Sequence, residues 1–368
     1  MTVLLWILGV LATPVVLAGL WLTWVFLKEF VAASRNGGSN AGAESADAAA
    51  YAERLGLLPA ERQNTEHAGP LPEDQRTALA AVRRGEWRAV AEVLTAIGRD
   101  WERRSGFAYL VAEQAADEDD WLLAWERERP GDPDAALVRA RSTVILAWNI
   151  RGASKAKYTT REQFAGFHRT LESARAQIAR AADLNPDDPT PYITEIWVAL
   201  GLGYPGSEMD KLWAEIVARA PHHYEAHFSA LQYWCAKWRG SESMAMEFAE
   251  RAAASAPLGS LLTALPLIAH FEHDESDDSA VDQTPEMVAR VNAALADAAA
   301  ADPAHPRLPE LRHLLAFYLA MQERAEAALE QFRLVDGHID ALPWRYQNDM
   351  AKYYCRVRNL AAVAARGE

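Results

Sequence analysis

The densest group of metal-ligating side chains in this 368-residue sequence is HFEHDESDD, where His270 and His273 stand three apart and Glu272, Asp274, Glu275, Asp277 and Asp278 supply oxygens. Imidazole beside carboxylate is a donor set for a divalent cation, and His270, His273 and Asp274 are the candidate ligands. An EF-hand loop starting at Asp274 would need glycine sixth and glutamate twelfth, but Ser279 and Pro285 stand there, so the calcium motif fails. A solvated acidic loop explains the same residues, so no metal or cofactor is assigned. A second histidine pair, His223 and His227 in PHHYEAH, shares one helical face with Glu225 between them. A zinc-protease helix places glutamate directly after the first histidine, and here Tyr224 intervenes. The start of a helix with capping or surface histidines accounts for it.

Other chemistry is thinner. Arg151, Lys155, Lys157 and Arg161 make a basic patch fit for phosphate or an acidic peptide, or simply a solvated loop. Gly201 and Gly203 follow a helical pattern and lack the lysine of a phosphate loop, and no serine sits in a nucleophile elbow. The two cysteines, Cys235 and Cys355, lie in apolar surroundings and read as buried free thiols. No catalytic residue is assigned.

The elements that would position these residues show in a proline ruler. Pro186, Pro221 and Pro257 follow one another at 35 and 36 residues, each after an amphipathic, alanine-bearing stretch. Pro303 comes 46 residues later, and an acidic insertion at about 272–284 explains the longer interval. Ala174 and Ala181 precede Pro186 by 12 and 5 positions, as Ala245 and Ala252 precede Pro257. Closely crossing helices need small side chains there. This arrangement resembles the tetratricopeptide repeat, whose second helix carries alanines in those places and ends at a proline. Ile193, Ile196, Trp197 and Leu200 match the first-helix pattern only loosely, so the repeats are divergent. GEWRAVAEVL and ERAEAALEQF look like further second helices, and the resemblance covers roughly residues 72–360, interrupted at 109–129, 151–160 and the insertion. AWNIRG, ALGLGYPG and YWCAKWRGSE are also similar to an uncharacterised bacterial family of high-GC Gram-positive organisms, which implies no activity.

The expected fold is all-α: an N-terminal transmembrane helix followed by a tetratricopeptide-like α-solenoid of helical hairpins. Thr2 to Leu27 carries no charge and is long enough to cross about 30 Å of hydrocarbon, so residues 1–28 read as an uncleaved anchor. Lys28 and Arg35 follow the span with no positive residue before it, which puts the larger part in the cytoplasm as a single-pass protein of the cell membrane. Residues 29–70 read as a flexible linker with room for a short helix, because SRNGGSNAGAESADAAA lacks aromatic and long aliphatic side chains. As a random coil those residues reach roughly 23 Å. Residues 71–365 form the repeat domain.

A formal charge of −14 and a pI near 5.3 disfavour nucleic acid as partner and favour basic over acidic ones. The expected function is a membrane-tethered scaffold that binds a protein or peptide in a concave groove, lined by Tyr192, Glu195, Glu225, Gln232 and His313 on the first helices of the pairs. Exposed tryptophans among Trp87, Trp101, Trp121, Trp125, Trp148, Trp197, Trp213, Trp234 and Trp238 would serve as anchors, most of the nine being core. Alternatives are a metal-dependent hydrolase built on one of the histidine pairs and a structural subunit of an envelope complex.

Overall fold

The computed structural model describes residues 40–152, 159–274, 276 and 279–367. The anchor reading on 1–28, Lys155 and Lys157, and Glu275, Asp277 and Asp278 therefore lie outside the described residues. Among those described, no helix is long and apolar enough to cross a membrane.

The described chain is all-helical. Sixteen α-helices follow one another: α1 (Asn40–Arg54), α2 (Glu73–Val82), α3 (Arg88–Ile97), α4 (Trp101–Asp117), α5 (Asp120–Glu128), α6 (Pro133–Arg151), α7 (Arg161–Leu184), α8 (Thr190–Leu202), α9 (Gly206–Arg219), α10 (Tyr224–Trp234), α11 (Glu242–Ser255), α12 (Ala264–His273), α13 (Pro285–Ala300), α14 (Leu308–Met321), α15 (Ala325–Val335) and α16 (Met350–Ala364). The proline ruler holds: α7, α9, α11 and α13 all stop just short of Pro186, Pro221, Pro257 and Pro303. A proline lacks the N–H that the next helical bond requires and pushes the preceding residue out of the α region. Side chains close the starts, with Asp132 accepting from Asp134 and Ala135 N–H before α6, and Thr160 forming a capping box with Gln163 before α7.

Two kinds of helix alternate. In α8 the residues Thr190, Pro191, Ile193, Thr194, Ile196, Val198, Ala199 and Leu200 are all buried, so it is enclosed on every side. Its successor α9 buries only Met209, Leu212 and Ile216, a single stripe. The helices α4, α6, α8, α10, α12, α14 and α16, each of which packs against the next of that series, are more deeply buried than the amphipathic helices packed onto them, although α16 keeps an exposed edge at Lys352, Arg356, Leu360 and Val363. We call these the inner and outer helices. Ala174, Ala181, Ala245 and Ala252 are all buried where outer helices cross inner ones. Residues 109–129 complete α4 and form α5, which is buried through Trp121, Leu122 and Trp125.

The N-terminal part departs from the expected linker. Asn40–Arg54 is helix, and Ala48 and Ala52, four apart, are buried where α1 lies against α16. Alanines contribute little to a hydrophobicity count, yet a stripe of them allows close helix approach, which is why composition alone suggested a coil. Residues 58–69 continue along the C-terminal part. Leu58 N–H donates to Asp336 (2.7 Å), its carbonyl accepts from Arg358 (2.8 Å), and Asn64 exchanges backbone bonds with Gly337 and Ile339 (2.9 Å each). α1 thus covers the last inner helix, which no later helix does among the described residues. The chain also meets itself midway: Glu102 and Ser105 of α4 contact Tyr224 N–H and His223 at the start of α10. Only three of the nine tryptophans, Trp87, Trp121 and Trp125, are fully buried; the other six are half-buried.

Candidate functional site

The inner helices carry charged residues that a lone helix would not bury. Arg141, in the apolar run AALVRARSTVIL of α6, is 4% exposed and pairs with Glu225 of α10. Glu225 also accepts from Arg307 (3.4 Å), which in turn bonds Glu310 at the start of α14 (2.7 Å). Burial alone would push the Glu225 carboxyl upward, but Arg141 and Arg307 outweigh it and hold it at about 2. A similar buried set, Arg104 with Asp134 and Asp188, fastens α4 to α6 and to the turn before α8.

Beside this network stand Tyr109 and Glu113 of α4, with Arg345 in the turn before α16. The Arg141 guanidinium lies 5.5 Å from the Tyr109 ring centre. Tyr109 is 38% exposed, yet loss of surrounding water, with the nearby Glu113 charge, pushes its hydroxyl up to about 12. Arg345 keeps 45% of its side chain accessible while pairing with Asp340 (2.8 Å), and the same crowding acts on it. Burial also raises the Glu113 carboxyl above its ordinary range. The group thus places a phenol, a carboxyl and guanidinium groups side by side. Arg141 Nη1 is buried without a hydrogen-bond acceptor.

Of the five residues expected to line a groove, three are not available to do so. Glu225 is enclosed by its two arginines, and Gln232 is buried, donating to Glu272 Oε1 (3.1 Å). His313 is fully buried; its Nε2 lies against the carbonyls of Ala68 and His338 (3.1 and 3.0 Å), and its Nδ1 accepts from the Trp344 indole (3.0 Å). These three sit on inner helices whose other sides are covered by chain segments remote in sequence. Tyr192 and Glu195 are half-buried: Tyr192 lies beneath Arg219 (4.3 Å), and Glu195 accepts from Tyr204 (3.2 Å). Tyr109, Glu113, Arg141 and Arg345 escaped the sequence reading because their partners lie far along the chain. The legible signal was an arginine within an apolar helix, which requires a buried counter-charge.

The histidine pairs separate. His223 caps α10 through Nδ1 and faces Trp101 O (3.1 Å) with Nε2, while His227 is buried against Trp213 and Phe248, its titration depressed to about 4 by burial. His273 is held at both nitrogens, by Ala269 O (2.8 Å) and Ala236 N–H (3.1 Å). His270 and Asp274 instead gather with Asp282, their donor atoms all within 4.8 Å of one another. Asp282 replaces His273 in the expected ligand set. Arg151 lies over the rings of Trp148 and Trp238 (5.5 and 5.7 Å). Comparison with protein-family models, curated proteins and solved structures finds no match to this chain.

Proposed function

We propose that the chain is a tetratricopeptide-like helical-repeat scaffold that binds a protein or peptide segment on the concave side of its inner helices. In this reading the apolar segment 1–28 anchors it in the cell membrane, with the helical part in the cytoplasm. The carrying observation is the buried Arg141–Glu225–Arg307 network with the accessible Tyr109 ring over Arg141 and the accessible Arg345 beside it. Aromatic and arginine side chains in such partly desolvated surroundings are the ones that carry interface energy. The helix-pair succession supports the solenoid reading, since each pair contributes one inner helix to a continuing layer. The hydrolase alternative loses support, because neither histidine pair converges on one point.

The test places a photo-crosslinking amino acid at Tyr109 and, as control, at Val217, which is exposed on outer helix α9. Crosslinks at position 109 that are absent at 217, and that an Arg345→Glu change abolishes, are expected. Equal labelling at both positions would remove the groove reading. A reporter active only outside the cytoplasm, fused to the C-terminus, tests the orientation: a signal from it would reverse the cytoplasmic assignment.

A further inference from the structure

We propose that His270, Asp274 and Asp282 form a binding site for one divalent transition-metal cation, which clips the turn between α12 and α13 to the inner layer. The three donors come from three backbone positions: the last turn of α12, its C-cap, and the 3-10 turn Ser279–Gln283. His270 Nε2 stands 3.1 Å from Asp282 Oδ1. Two ligands of one ion, each roughly 2.1 Å from it at near-tetrahedral or octahedral angles, stand about that far apart.

Charge balance points the same way. The Asp282 side chain is only 9% exposed, and its ionisable partner is His270. Among the described residues no lysine or arginine forms an ion pair with Asp282 or with Asp274. Buried carboxylates are ordinarily paired with a cation or coordinated to a metal. Tyr318 is not itself a ligand, because its hydroxyl donates to Leu267 O (3.0 Å).

One imidazole nitrogen with two carboxylates suits hard to borderline cations such as Mn2+ or Zn2+ rather than thiophilic ones. The role is structural. Asp282 O accepts from Gln322 at the end of α14 (2.9 Å), so an ion on the Asp282 side chain would fix α12, the turn and α14 in register.

The experiment titrates Mn2+ into chelator-stripped full-length protein, by calorimetry and by pulsed electron paramagnetic resonance. One equivalent, a histidine nitrogen coupling to Mn2+ and a raised melting temperature are expected. Asp274→Asn changes an exposed side chain and should keep the native circular dichroism while weakening Mn2+ at least tenfold. His270→Gln should erase the nitrogen coupling. The proposal is overturned if neither Mn2+ nor Zn2+ binds saturably, or if both variants bind as the parent does. Bound Mn2+ without nitrogen coupling would also overturn it, by assigning the ion to acidic side chains alone.

Discussion

At the scale of single residues, the molecule depends on buried polar groups that are paired across long stretches of chain. Glu225→Ala leaves Arg141 and Arg307 without their shared counter-charge, and breaking such a buried pair costs about 3–5 kcal/mol. Urea unfolding should show a loss of that size, whereas a loss near that of an exposed pair such as Arg84–Glu86 would refute the burial argument. His227 and His313 make stability depend on pH. Both are held near 4 by burial, so the unfolded chain binds more protons between roughly pH 6.5 and 4. Their contribution is complete above pH 6.5 and fades as pH falls, by on the order of 3 kcal/mol apiece. The raised carboxyls of Glu113 and Glu195 act in the opposite sense. His313→Gln should flatten the decline between pH 6.5 and 5, and an unchanged slope would show that His313 titrates normally. Both cysteines are buried, and burial pushes the Cys235 thiol up to about 12. A thiol reagent should therefore react with native protein far more slowly than with unfolded protein.

At the scale of elements, inner and outer helices tolerate change differently. Outer helices need one apolar stripe, so substitutions at their exposed positions should stay within about 0.5 kcal/mol. The enclosed inner helix α8 has no such exposed face, and Gly201 illustrates the limit. A side chain added there would stand 2.3 Å from Leu171 and 2.6 Å from Phe167 of α7. Gly201→Val should destabilise by roughly 1–3 kcal/mol or more through overpacking, measurable by thermal melts. The closing element α1 is bound by the same rule. Ala52→Glu would bury a charge at the α1–α16 contact and should release α1, read as faster amide exchange in 46–58 with little change in α8.

At the scale of the whole molecule, the segment from Asn40 to Gly69 completes the structure by packing on its C-terminal helices. Removing residues 1–69 strips the cover from α16 and the partners of Asp336, His313 and the 337–340 turn. Such a truncation should lower the melting temperature and expose α16 to proteolysis, while one ending at residue 39 should not. The sequence by itself determined the helical class, the helix stops at Pro186, Pro221, Pro257 and Pro303, the crossing alanines and the buried thiols, because each follows from local backbone chemistry or side-chain size. Only the tertiary structure decided that Glu225, Gln232 and His313 are enclosed, that Tyr109 and Arg345 come together, that Asp282 joins His270, and that α1 covers α16. Those juxtapositions join positions from 12 to about 300 residues apart, and no spacing within one helix encodes which distant surface will cover it.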